Sequence, residues 1–216
     1  MQRCSSVVSI PKFDQMGLLV RHAERSEISD IRTHDTAMLT EQGKADSKVF
    51  GRVLGNRFQH ILIWHSPIAR CRDTAGYMVN GMKETTCKAR IAGPLSWLSG
   101  DFVKADPDWI NHEILKGTEN FFRQWSDGCY SEDQITPMKE AAAVELKKAS
   151  VQMEKGGSSV IIDVTHDWNL ILLREIYLGL HFKEVGLPDY LDSVAILKKE
   201  SRLALWSLGC LCIIKT

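Results

Sequence analysis

Gly17-Leu18-Leu19-Val20-Arg21-His22-Ala23-Glu24-Arg25 is the stretch on which the fold turns. The apolar run from Met16 to Val20 has the length of a buried strand and stops abruptly at Arg21-His22. A strand ending this way delivers an imidazole among guanidinium groups, at the edge where open α/β sheets bind ligands. Neighbouring positive charge disfavours the imidazolium, so the ring is held as a neutral nucleophile. Arginine forks are matched to phosphate oxygens, which makes a phosphate the natural guest. The plainer alternative is a solvated strand end, and the stretch alone leaves both open.

Outward from this strand the pattern repeats. Ile61-Leu62-Ile63-Trp64 is a second apolar run, ending at His65-Ser66-Pro67, with a helix opening directly after it and Arg70 one turn in. Ser159 to Thr165 is a third, ending at His166-Asp167 and followed by a helix from Trp168 to about Leu180. A short strand is expected near Cys87 to Ile91. Thr40 is a good N-cap with Glu41 in the first turn, and Val49, Phe50, Val53 and Leu54 carry helical spacing to a stop at Gly55-Asn56. Strand–helix alternation of this kind predicts an α/β fold: a three-layer sandwich with a mostly parallel central sheet flanked by helices. Val194 to Leu197 and Leu203 to Trp206 flank a polar turn and predict a C-terminal antiparallel hairpin. Residues 1–15 read as an irregular lead-in broken by Pro11.

Between about 92 and 156 the periodicity is helical, and Trp97, Trp109, Phe121, Phe122 and Trp125 concentrate there. This segment reads as a helical cap insertion leaning over the sheet edge, inside a single domain spanning 1–216. Its aromatics are expected to be core.

Lys plus Arg and Asp plus Glu both number 27, so no global basic field points to nucleic acid or a membrane surface. No stretch approaches the length of a membrane span. The six cysteines form no CxxC pair, and His34, His60, His112 and His181 have no metal-ligand spacing. No metal or cofactor is therefore expected. No Gly-rich phosphate loop follows any strand, which argues against a nucleotide-dependent kinase or dehydrogenase. The N-terminus has no apolar core of signal-peptide length, and a cytoplasmic protein with reduced thiols is the expectation. No cysteine stands four from the end, so the tail is not a prenylation signal.

The three loaded strand ends share the C-terminal edge of one sheet, so they can converge. Arg21-His22-Ala23-Glu24-Arg25 resembles the Arg-His-Gly signature of the histidine phosphatase superfamily, phosphoglycerate mutase-like and acid phosphatase-like. Leu39-Thr40-Glu41-Gln42-Gly43 is similar to its Leu-Thr-x-x-Gly helix start. Ser66-Pro-Ile-Ala-Arg70-Cys-Arg-Asp-Thr74-Ala75 is similar to its Ser-x-x-x-Arg-x-x-x-Thr-Ala element, and His166 matches its second histidine. The matches fall in family order over roughly residues 16 to 180.

The resemblance implies a metal-independent phosphatase acting through a phosphohistidine on His22. It implies that Arg21, Arg25, Arg70 and His166 hold the phosphoryl oxygens, His166 as imidazolium or N–H donor. The other ring nitrogen of His22 should donate to a carbonyl or carboxylate. Many mutase-type members carry a Glu in a Leu-x-Glu segment, where this chain has Leu95-Ser96-Trp97. Acid-phosphatase-type members use the Asp of a His-Asp pair instead. Asp167 is accordingly the expected general acid, protonated through burial or a neighbouring negative charge, with a helix N-cap as its competing role. Glu24, Asp101, Asp106 and Asp108 are reserves. Ala23 replaces the usual Gly, which requires a negative φ. His65 is expected to be structural. The partner implied is a phosphorylated small molecule or a phosphoprotein, with Trp97, Phe102, Lys104 and Trp109 expected against the leaving group. A phosphomutase of the same superfamily and a non-catalytic phosphate-binding scaffold are the alternatives; Trp97 argues against the first.

Overall fold

The computed structural model describes residues 9–11, 13–28, 31–157 and 159–214, so most of the expected lead-in lies outside the described residues. The first half of the chain alternates β1 (Gln15–Arg21), α1 (Glu41–Arg57), β2 (His60–His65), α2 (Ala69–Met82) and β3 (Lys88–Pro94). Then come α3 (Pro107–Leu115), α4 (Thr118–Ser126) and α5 (Met138–Lys155). The chain returns to the sheet with β4 (Val160–Thr165), α6 (Asp167–Leu173) and α7 (Phe182–Val185), and closes with β5 (Ser193–Lys199), β6 (Arg202–Ser207) and β7 (Cys210–Ile214).

The strands form one sheet in the order β3-β2-β4-β1-β5-β6-β7. The first four are parallel, and β5 to β7 add on antiparallel beside β1. Register sets the chemistry: Arg21 lies beside Thr165 and His65 beside Val164, so three loaded strand ends reach the same edge.

Side-chain alternation divides the core in two. Leu18 and Val20 of β1, Ile61 and Ile63 of β2, and Ile162 and Val164 of β4 pack against Phe50 and Leu54 of α1 and Met78 of α2. Leu19 of β1 faces the other way, onto Leu146 and Met153 of α5 and Leu170 of α6. The sandwich is therefore three-layered. Within the segment expected to be an insertion, α5 lies on the sheet itself. A third cluster joins Phe121, Phe122 and Trp125 of α4 to Ile171 and Leu172 of α6 and Phe182 of α7.

One sequence expectation is extended here and one is corrected. The expected C-terminal hairpin forms between β5 and β6, and a third strand extends it: β6 turns into β7 through Leu208-Gly209, both at positive φ (50° and 84°), a conformation that ordinary turn signals do not announce for leucine. Helix α1 runs through Gly55 to Arg57 rather than stopping, because Gly55 is a contact glycine; a Cβ there would sit 2.6 Å from Thr85 Oγ1. Val49 points to solvent, and only Phe50 and Leu54 of its quartet are buried.

Candidate active site

His22, Arg70 and His166 meet where β1, β2 and β4 end. Arg70 reaches there because its helix starts immediately beyond β2 and it sits in the first turn. Its Nε–H donates to His22 Nε2 at 3.0 Å, and its Nη2 lies 3.2 Å from His166 Nδ1. The two imidazoles stand edge-on with centroids 5.4 Å apart.

Hydrogen-bond partners assign the tautomers. His22 Nδ1 lies 2.8 Å from the Ala23 carbonyl, which can only accept, so Nδ1 carries the proton and Nε2 the lone pair. This is the carbonyl partner expected from the sequence. A guanidinium can only donate, so His166 Nδ1 is an acceptor and its Nε2–H donates to Ser66 Oγ at 3.0 Å. The nitrogen of His166 beside Arg70 thus accepts in this arrangement rather than donating. Burial, then the neighbouring His166 and Arg70, holds His22 well below the ordinary histidine range. Burial and Arg70 do the same to His166, and both rings are neutral near pH 7.

The motif residues around them are supports. Ser66 receives His166 Nε2–H and contacts Ser99 Oγ at 3.0 Å. Thr74 Oγ1 donates to the Arg70 carbonyl (2.7 Å) and accepts the Ala23 N–H (3.0 Å), tying the helix carrying Arg70 to the turn carrying His22. Ala23 is absent from the residues with positive φ, as a methyl group there requires. A Cβ on Gly43 would fall 2.1 Å from the Glu24 carbonyl, so the helix that Thr40 caps can press against this turn only with glycine at that position. Cys71 sits beside His166 with Sγ 3.7 Å from Nε2, and burial pushes its thiol up to about 12, leaving it unreactive.

Arg21 is held from several sides. It donates to the Pro188 carbonyl, stacks 4.4 Å from the Tyr190 ring centre, and pairs with Asp167 Oδ2 at 3.0 Å. Tyr190 also lies beside His22, with ring centres 5.8 Å apart. Sequence reading missed Tyr190, which arrives on a loop fixed by Arg174–Asp192 (3.1 Å). It also set aside His34, whose backbone carbonyl accepts from Arg70 Nη1 at 2.6 Å. Neither belongs to a strand end, the one signal that marked the others.

Asp167 is partly open, and its neighbour is a guanidinium; the burial or negative neighbour expected of it is not there. Nor is it the N-cap, a position that falls on His166; Asp167 Oδ1 instead accepts the N–H of Trp168 at 2.9 Å. Among the reserves, Glu24 accepts from Thr40, Asp101 pairs with Lys148, and Asp106 caps α3. His65 donates from Nδ1 to the Ser66 carbonyl and stays outside the cleft, as expected of a structural residue.

The cleft over this cluster has a volume of about 190 Å³. Arg21, Arg25, Arg70, His22, His166 and Asp167 form its floor and sides, with His34 at the wall. The rest of the lining is Ile110, Asn111 and Ile114 of α3, Thr118 and Phe122 of α4, Trp168 and Ile28, and Ile110, Ile114, Phe122 and Trp168 belong to one apolar cluster. The residues expected against the leaving group are elsewhere. Phe102 is buried in the α4 cluster, Trp109 packs on Tyr130, Lys104 reaches the Glu132 carbonyl, and Trp97 packs against the α5 side of the sheet.

An α/β sandwich with two neutral imidazoles bridged by one guanidinium at the parallel edge defines a narrow class of protein. Residues 18–91 match the family model of the histidine phosphatase superfamily, branch 1. Its fold is shared over nearly the whole length. A mycobacterial glucosyl-3-phosphoglycerate phosphatase is 14% identical with a TM-score of 0.58, covering 90% of this chain and 98% of that one. Phosphoglycerate mutase from Bacillus anthracis is 15% identical (TM-score 0.58, coverage 91% and 94%). A phosphoserine phosphatase from Entamoeba histolytica is 11% identical (TM-score 0.55, coverage 90% and 96%). At such identities the likeness is one of fold. No curated protein matches the sequence.

Proposed function

We propose that this chain hydrolyses a phosphate monoester, without a metal, through a phosphohistidine on His22. The observation that carries the reading is the Arg70 fork, which bridges the lone pairs of His22 Nε2 and His166 Nδ1. A phosphoryl group entering between the rings takes the guanidinium as its partner and leaves Nε2 free to attack. Arg21 and Arg25 supply the remaining positive charge from the cleft wall, so guanidinium groups do the work of charge stabilisation.

In the first step the Nε2 lone pair forms the P–N bond while the P–O bond to the alcohol breaks. The departing oxygen takes up a proton, with Asp167, which lines the cleft, assigned as its donor. In the second step water attacks phosphorus with its proton going to Asp167, the P–N bond breaks, and His22 recovers its lone pair. Arg70 holds the non-bridging oxygens throughout, and His166 joins it when the entering dianion brings a proton to Nδ1. The net change is ester plus water to alcohol plus phosphate.

The test uses purified protein with an alkyl phosphate and with p-nitrophenyl phosphate. Alkaline quenching during turnover should trap an acid-labile phosphorylated protein, and His22→Ala should abolish both trapping and hydrolysis. Asp167→Asn should lower kcat/KM on the alkyl ester by about 10²–10⁴-fold, and by much less on the nitrophenyl ester, whose leaving group needs no proton. Full activity in His22→Ala refutes the reading; equal losses on both esters remove Asp167 from the proton transfer.

A further inference from the structure

The two halves of the cleft have opposite chemistry. Its titratable lining is Arg21, His22, Arg25, His34, Arg70, His166 and Asp167, and His22, Arg70 and His166 are hydrogen-bonded together at the phosphate end. The far wall is built from Ile110 and Ile114 of α3, Phe122 of α4, Trp168 of α6 and Ile28, and its polar members are Asn111 and Thr118.

Local structure turns charge away from that wall. On α3, Glu113 is on another side of the helix, buried against Lys116 (2.6 Å) and Tyr130 (3.1 Å). On α4, Arg123 donates to Asn120 at 2.6 Å, on the exposed side. Trp168 has its indole N–H buried, beside Gly100; a Cβ on Gly100 would fall 2.9 Å from Nε1, so a glycine makes room for the polar edge to turn in there. The cleft therefore meets hydrocarbon. A carboxylate or second phosphate on the alcohol would be desolvated against this wall with no cation among its described residues to receive it, and sugar hydroxyls would outnumber its two polar partners.

Building on the phosphatase reading, we propose that the substrate is a phosphate monoester of an apolar, uncharged, ring-bearing alcohol. The phosphate enters between His22 and His166, and the ring lies against Ile110, Ile114 and Phe122. Phosphoglycerates and sugar phosphates are discriminated against by the same wall.

The experiment compares benzyl phosphate with 3-phosphoglycerate and glycerol 3-phosphate, all alkyl esters, so leaving-group reactivity does not decide the result. The expected outcome is kcat/KM about a hundredfold or more higher for benzyl phosphate. Ile114→Lys, checked for folding by circular dichroism, should lower the benzyl rate tenfold or more and bring 3-phosphoglycerate up, narrowing or reversing the preference. Equal or inverted preference in the wild type, with hydrolysis still dependent on His22, overturns this proposal and leaves the phosphatase reading intact. Hydrolysis of none of the esters overturns the phosphatase reading. The apolar preference is then read from direct binding of benzyl phosphate against 3-phosphoglycerate, and equal affinity overturns it too.

Discussion

Arg70 does two things with one side chain: it occupies the lone pairs of both histidines, and its charge keeps protons off them. For His22 burial is the larger cause, followed by His166 and Arg70. The sign is clear, since a base held below its ordinary range is neutral, and competent as a nucleophile, at and above pH 6.5. Nitrogen-15 NMR of the imidazoles should find His22 and His166 unprotonated at pH 6.5, where exposed His181, paired with Glu175, still carries its proton. Arg70→Gln should move both buried histidines upward; half-protonation of wild-type His22 at pH 6.5 would contradict the burial argument. Residues of this kind were legible in the sequence because they terminate apolar runs, and register does the rest. His34 and Tyr190 were not, since loops with no periodicity bring them in. The Asp167–Arg21 pair was not legible either: two residues 146 positions apart meet only because β1 and β4 are neighbours.

At the scale of elements, α1 and α2 touch backbone to backbone. A Cβ on Gly51 would stand 2.0 Å from the Met78 carbonyl, and one on Gly81 would stand 1.9 Å from the Lys48 carbonyl. Neither neighbour is a flexible side chain, so an added methyl must push the helices apart. Gly51→Ala should cost about 3 kcal/mol in urea unfolding, the upper part of the overpacking range. Gly76, in the same α2 with nothing within 4 Å of its missing Cβ, is the control. Gly76→Ala should add about 0.5–1 kcal/mol through helix propensity. Equal effects at the two sites would mean that propensity, not contact, governs this layer. Helix spacing in the sequence located both elements, yet it reads a glycine only as a weak helical residue or a stop. That is why Gly55 reads as the end of α1 in the sequence: close approach is a property of the pair of helices. The apolar wall of α3 was hidden for a similar reason. Ile110 and Ile114 have ordinary helical spacing, and whether such a stripe meets core or cleft depends on what packs on α4.

For the molecule as a whole, the notable expense is a pair of carboxyls inside the α5 layer. Asp163 points from the middle of β4, both its oxygens lacking a hydrogen-bond partner among the described residues, and burial pushes it up to about 8. Glu145 on α5 accepts from Asn169 at 3.0 Å; burial, reinforced by the nearby Asp163, pushes it up to about 8 as well. Both therefore stay protonated in the fold while the unfolded chain gives up its protons above the ordinary carboxylate range. Their contribution is fully present below pH 4 and is lost as pH rises to about 8. His22 and His166 act in the opposite direction: the unfolded chain takes up protons below pH 6.5 and the fold does not, so stability is lost as pH falls. Between about pH 4 and 6.5 the two effects offset each other. Between pH 6.5 and 8 the carboxyls dominate, with exposed His181 a lesser term of the same sign, and stability should fall by up to about 1.4 kcal/mol per pH unit for each carboxyl. Urea midpoints at pH 6.5 and 7.5 measure this directly. Asp163→Asn keeps the shape of the protonated group and removes its proton equilibrium, so it should raise the midpoint at pH 7.5 and roughly halve the slope. A midpoint that stays level across this interval in the wild type would mean that the two carboxyls are ionised inside the fold, with partners to match.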